Sequence, residues 1–165
     1  MKNLYIDFDG VVCDTIDVSY ELLAKEGIEK TDFDGCRKFY ENLDWEYVLS
    51  VCHILNDGMD CIRKLIDSGK FNVAILTHVN SINEIIHKVH YIRKFFPDLT
   101  IIPVPKDISK TKMIETKDAI LVDDFVENLN EWKAEGGIAI RFDLDMDGKG
   151  YPVIDRLDTL LSMFD

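Results

Sequence analysis

The sequence has no CxxC pair and no cysteine–histidine grouping at zinc-binding spacing. Its four cysteines, Cys13, Cys36, Cys52 and Cys61, lie scattered, and they read as reduced thiols in a cytoplasmic protein. No apolar run approaches the ~20 residues that cross a bilayer, which argues against a membrane protein. The opening stretch Met1-Lys2-Asn3-Leu4-Tyr5-Ile6 meets Asp7 too soon to hold the apolar region of a signal peptide. Basic residues are also few, 19 against 31 acidic, for a net charge of −12. That balance argues against a nucleic-acid polymer as partner, since such binding covers many phosphates. It leaves room for one small phosphate ester, because a divalent cation and a single lysine reverse the field locally. Internal repeats and low-complexity tracts are missing as well.

What is present fits a soluble α/β domain. The chain has 165 residues, 47% of them apolar and 30% charged, enough for one domain with a small insertion. After Leu4-Tyr5-Ile6, four short and nearly continuous apolar runs at 71–76, 99–104, 119–122 and 138–142 predict strands buried on both faces. Helical patterns at 59–68, 81–96, 125–135 and 153–164 alternate with them. In the second, Ile82, Ile85, Ile86 and Val89 form the apolar stripe, and Pro97 ends it. The alternation predicts a Rossmann-like, five-stranded parallel sheet flanked by helices, with right-handed crossovers. Residues 15–56 break it, showing helical segments around 18–25, 36–42 and 46–55 but no strand. The expected organisation is therefore a core of 1–14 and 57–165 with a small helical cap, 15–56, inserted after the first strand. The aromatics Phe39, Tyr40, Trp45 and Tyr47 of the cap either close on a ligand or form its own small core.

The chemistry gathers at strand ends. Asp7 and Asp9 are spaced i, i+2, so on a strand they share a face. At ~4 Å and an effective dielectric of ~20 two bare carboxylates repel by about 4 kcal/mol, which calls for a cation, a shared proton or a chemical use. Gly10 allows a sharp turn just beyond them. In open α/β sheets ligands bind outside the carboxyl ends of the strands. There the second strand delivers Thr77-His78, the loop after the third carries Lys106, Ser109, Lys110 and Lys112, and the fourth ends in Asp123-Asp124. Four carboxylates, a hydroxyl and a lysine on one rim predict a hard, oxygen-loving divalent cation, with Mg²⁺ the default.

Asp7-Phe8-Asp9-Gly10-Val11-Val12-Cys13-Asp14-Thr15, the strand-ending Thr77, a lysine before the fourth strand and Asp123-Asp124 resemble the four motifs of the haloacid dehalogenase superfamily. The likeness spans essentially the whole chain. The run from Asp123 to Trp132, followed by Gly136-Gly137, is similar to the 5'(3')-deoxyribonucleotidase-like branch. The resemblance implies a Mg²⁺-dependent phosphomonoesterase acting on a small phosphate ester such as a nucleoside 5'-monophosphate. It implies Asp7 as the nucleophile that becomes an aspartyl-phosphate and Asp9 as the general acid and base. The metal would be held by Asp7, the Asp9 carbonyl and Asp124, with Asp123 acting through water or the lysine. Thr77 and the backbone amide of His78 would hold phosphoryl oxygens, and the lysine would balance their charge. Lys110 best matches the family position, followed by Lys112 and then Lys106. The His78 ring is expected to point away.

Two other functions use the same residues: a phosphotransferase passing the group from Asp7 to another acceptor, and a non-catalytic protein binding a phospho-ligand or metal. A receiver domain also gathers acids, a hydroxyl and a lysine, but its acid pair follows the first strand and its phosphorylated Asp a later one. Asp143-Leu144-Asp145-Met146-Asp147-Gly148 opens like an EF-hand loop, yet its twelfth position is Ile154 rather than a glutamate, so an acidic solvated turn is the expectation.

Overall fold

The apolar runs cannot bury both faces alone, and they pair into one sheet covered by helices on each side. The computed structural model describes residues 1–165. Its elements run β1 (Lys2–Ile6), α1 (Thr15–Lys25), α2 (Phe33–Asn42), α3 (Trp45–Val51), α4 (Gly58–Asp67), β2 (Phe71–Val79), α5 (Ile82–Arg93) and β3 (Thr100–Pro105). After a 3-10 turn at Lys110–Lys112 come β4 (Ile120–Asp123), α6 (Val126–Ala134), β5 (Ile138–Phe142), β6 (Val153–Ile154) and α7 (Leu160–Met163). The sheet is parallel throughout in the order β3-β2-β1-β4-β5-β6.

It has six strands rather than the expected five. The extra one is β6, where Val153 and Ile154 pair with Arg141 and Phe142. A single terminal helix over 153–164 is therefore replaced by an edge strand, a 3-10 turn at Leu157–Thr159 and the short α7. A second correction concerns α5. Ser81 caps it, its Oγ accepting from the Glu84 amide at 3.0 Å, but the apolar stripe is not the one inferred. Ile82 and Ile86 are 70% and 47% exposed, whereas Glu84, Lys88 and Ile92, spaced i, i+4, i+8, are each 1% exposed.

The larger core packs α4, α5 and α7 against Leu4, Ile6, Ile75, Ile120, Val122 and Ile140. Leu43, Trp45, Val48 and Leu49, from the segment 15–56, belong to the same cluster. That segment holds α1–α3 and no strand. Its two ends are tied where it leaves and rejoins the sheet: Asp14 Oδ1 accepts from the His53 amide at 2.6 Å and the Leu55 amide donates to Val12 at 2.8 Å. On the opposite face Trp132 anchors α6. It is fully buried, donates through Nε1 to the Ala119 carbonyl at 2.9 Å and meets Tyr5 edge-on at 5.6 Å. Replacing it by alanine is expected to cost about 3–5 kcal/mol. The Gly-Gly stop after α6 serves this packing, because a Cβ on Gly137 would lie 2.2 Å from Trp132 Nε1.

Candidate active site

The C-terminal ends of β1, β2 and β4 lie side by side because these strands are adjacent and in register, Ile6 pairing with both Ile75 and Val122. Asp7 follows β1 directly, its amide donating to the Val122 carbonyl at 2.9 Å. Asp123 closes β4 and Asp124 follows it. One oxygen from each of Asp7, Asp123 and Asp124 falls within 4.8 Å of the others. The Asp9 carboxylate stands outside this trio.

Of the candidate lysines, Lys110 reaches the acids. Its 3-10 turn is capped by Ser109 Oγ, and its side chain is 2% exposed. Lys110 Nζ donates to Asp7 Oδ1 at 2.9 Å and to Asp123 Oδ2 at 2.7 Å. Burial pulls the ammonium down, but the Asp123 and Asp7 carboxylates outweigh it and hold its pKa above the lysine range. Lys112 is exposed, and Lys106 lies at the cavity wall with its ammonium 5.5 Å from the Phe125 ring centre.

The two adjacent acids of β4 have different surroundings. Asp123 is fully buried and saturated, taking Lys110 and the Asn128 amide (3.0 Å) on Oδ2 and the Phe125 amide (2.9 Å) on Oδ1. Asp124 lacks such support. Burial, then the charges of Asp7, Asp123 and Asp9, push its pKa up to about 9. Asp7 rises to about 7, through burial and Asp123, with Lys110 pulling the other way. Gly10 makes room for this crowding. Its φ is +77°, and a Cβ there would sit 2.2 Å from Asp124 Oδ2. Three carboxylates this close, one without a cation, fit the donor set of a hard divalent ion.

Asp9 is held separately. Its Oδ1 accepts from Thr15 at 2.6 Å, and its Oδ2 from Lys88 at 2.6 Å and Thr77 at 3.3 Å. Thr77 is 1% exposed beside it. His78 Nε2 lies 2.9 Å from the Ile108 carbonyl, which ties the ring to the lysine loop, and burial lowers its pKa. Sequence reasoning missed Lys88 and Glu84, and it gave no role to Thr15 and Asn128, which lie inside the motifs it quoted. Thr15 carries a positional signal, six residues after Asp9. Lys88 and Glu84 carry none, since an i, i+4 Glu–Lys pair on a helix ordinarily faces water.

A cavity of about 440 Å³ opens over the acids, walled on the insertion side by Tyr20, Tyr40 and Trp45 and opposite by Lys106 and Phe125. The EF-hand-like run stays outside it. There Asp143 Oδ2 accepts from the Asp147 amide at 2.9 Å and Asp147 Oδ1 from the Lys149 amide at 3.1 Å, so these acids close a turn. The four cysteines are free, and no helix is long and apolar enough to cross a membrane.

An all-parallel sheet in this order, with helices inserted after β1, is a fold shared with solved structures of haloacid dehalogenase (HAD) hydrolases. A HAD phosphatase from Thermococcus onnurineus is similar over 99% of this chain and 97% of its own, with a TM-score of 0.65 and 17% identity. A subfamily IA HAD hydrolase from Geobacter sulfurreducens matches over 99% and 100%, with a TM-score of 0.65 and 11% identity. The D,D-heptose 1,7-bisphosphate phosphatase of B. bronchiseptica, solved with magnesium and phosphate, matches over 99% and 97%, with a TM-score of 0.60 and 14% identity. No family model matches the sequence, and no curated protein matches it.

Proposed function

We propose that this protein is a Mg²⁺-dependent phosphomonoester hydrolase that works through an aspartyl-phosphate on Asp7. The observation that carries the reading is the buried set Asp7–Lys110–Asp123 beside the uncompensated Asp124, open to a cavity at the ends of β1 and β4. In this reading Asp7 attacks phosphorus as the bond to the ester oxygen breaks, and Asp9 gives that oxygen its proton. Asp9 then takes a proton from water, which attacks the phosphorus of the aspartyl-phosphate and releases inorganic phosphate and free Asp7. Thr77 and the His78 amide hold phosphoryl oxygens, and Lys110 fixes the nucleophile and offsets developing charge. Mg²⁺ would be held by the carboxylates of Asp7 and Asp124 and the carbonyl of Asp9, with Asp123 acting through Lys110. When bound it neutralises the charge shared by the acids and the phosphoryl group.

The substrate is a small phosphate ester, and we favour a nucleoside 5'-monophosphate, as in the 5'(3')-deoxyribonucleotidase-like branch. The cavity volume suits such a molecule, and Tyr20, Tyr40 and Phe125 offer aromatic faces for a base. The segment 15–56 is the cap that supplies most of these. The test is hydrolysis of p-nitrophenyl phosphate, then of a panel of deoxynucleotides, sugar phosphates and phosphoglycolate. Turnover is expected to stop with a chelator and return with Mg²⁺. Asp7→Asn is expected to abolish it with an unchanged circular-dichroism spectrum. Metal-independent turnover, or an active Asp7→Asn protein, would overturn the mechanism.

A further inference from the structure

Lys88 is a buried cation that the proposed chemistry leaves without a task. It projects from the middle of α5 with a side chain 1% exposed, between Phe8 and Trp45, whose ring centres lie 5.7 and 4.6 Å from Nζ. The ammonium donates to Asp9 Oδ2 at 2.6 Å, Glu84 Oε2 at 2.5 Å, Thr77 Oγ1 at 3.1 Å and the His78 carbonyl at 3.2 Å. Glu84 is fixed in turn, its Oε1 accepting from the Asn80 amide at 2.8 Å and Nδ2 at 3.2 Å. An unbroken polar chain therefore runs from the turn after β2, through α5, to Asp9.

Stability alone does not account for it, because a buried ion pair is often no better than apolar residues of the same volume. Its geometry gives a reason. Four carboxylates share this rim, and Asp9 is near enough for its charge to act on both Asp7 and Asp124. Yet three of them form a compact oxygen cluster and Asp9 does not join it. Thr15 holds one Asp9 oxygen and Lys88 the other, and none of the trio's carboxylates is among their partners. Glu84 takes up part of the Lys88 charge, so the ammonium orients Asp9 without fully neutralising it.

We propose that Lys88, braced by Glu84, is a positioning residue that holds the Asp9 carboxyl group apart from the metal-binding acids, facing the oxygen that leaves. The proposal rests on the phosphatase reading, in which Asp9 is the proton donor. It follows that Lys88 matters most where proton donation matters most. An alkyl phosphate expels a strongly basic alkoxide and needs the proton, whereas p-nitrophenolate leaves readily without it.

The experiment compares kcat/KM for an alkyl phosphate and for p-nitrophenyl phosphate in the wild type, Lys88→Met, Asp9→Asn and the double variant. For Lys88→Met the alkyl ester is expected to lose at least ~100-fold, and the aryl ester at least ~10-fold less than that, the scale over which a general acid acts. Asp9→Asn is expected to show the same split, and the double variant to lose no more than Asp9→Asn alone. Lys88→Gln, which keeps a polar head in the network, is measured the same way in case the methionine form does not fold. Equal losses on both esters, or losses that multiply in the double variant, would overturn the positioning role while leaving the phosphatase reading intact. A wild type inert toward both esters would overturn that reading and this proposal together.

Discussion

Lys110 and Gly10 show how much of the site rests on single residues. Lys110 is buried between Asp7 and Asp123 and bonded to both. Lys110→Met would leave two desolvated carboxylates facing each other, a change that costs about 3–5 kcal/mol in comparable buried pairs. Urea denaturation in a chelating buffer is expected to read that loss, and millimolar Mg²⁺ to recover part of it by supplying the missing positive charge. A loss unaffected by Mg²⁺ would argue that the ion does not bind among these acids. Gly10→Ala acts from the other side. Its Cβ would push on Asp124 Oδ2, so Mg²⁺ affinity measured by calorimetry is expected to fall by ~10–100-fold, the range for disturbed ligand support. That Asp7, Asp9, Thr77 and Asp123-Asp124 would share one rim was legible in the sequence because each sits at or just past a strand end. The lysine was open among Lys110, Lys112 and Lys106, with Lys110 preferred on resemblance. Lys88 was not legible. Its burial is made by Trp45 and Phe8, 43 and 80 residues earlier in the chain (by the numbering of the sequence), and nothing beside it in the sequence records their approach.

Among the elements, the C-terminal segment shows where periodicity misleads. Val153, Ile154, Leu157, Leu160, Leu161 and Phe164 recur at helical spacing, so they read as one amphipathic helix. The structure divides them, because β5 offers an open edge on which Val153 and Ile154 pair, and a two-residue strand is too short to show a period of its own. β5 itself, Ile138–Phe142, matches the reading residue for residue, as expected of a strand covered on both faces. What fixes the turn after β6 is an ion cluster against α4: Asp158 accepts from Lys64 at 2.9 Å and from Arg156 Nε at 3.2 Å, and Arg156 reaches Asp57 at 3.0 Å. Hydrogen bonds from Arg156 and then Lys64 hold the Asp158 pKa down at about 2. A carboxylate depressed in the folded state stabilises above its unfolded pKa of roughly 3.9 and loses that contribution as pH falls through the folded value. Asp158→Asn is therefore expected to lower Tm by roughly 2 °C at neutral pH, modest because its partners are solvated. The gap to wild type should hold down to about pH 4 and close between about pH 4 and pH 2. A gap still open at pH 2 would mean that Asp158 acts through packing and not through its charge.

At the scale of the whole molecule, a net charge of −12 on 165 residues makes cation binding and salt screening hard to separate. Any salt relieves self-repulsion in so acidic a protein, so a rise in Tm on adding MgCl₂ says little by itself. The site supplies the discriminating comparison. A cation bound by the folded state alone stabilises by RT ln(1 + [L]/Kd), about 2.7 kcal/mol at a hundredfold excess over Kd, which is roughly 5–10 °C for a chain of this size. Screening raises Tm equally in wild type and in Asp124→Asn, whereas site binding requires the Asp124 carboxylate. Thermal melts at matched ionic strength in NaCl and MgCl₂ should therefore show an excess Mg²⁺ shift in the wild type that disappears in Asp124→Asn. Asp145→Asn, which removes one charge from the exposed acidic turn outside the cavity, should keep that excess in full. An excess shift that survives Asp124→Asn, or that is lost equally in Asp145→Asn, would assign the cation effect to the general field of the protein and remove the metal from the acid cluster at the ends of β1 and β4.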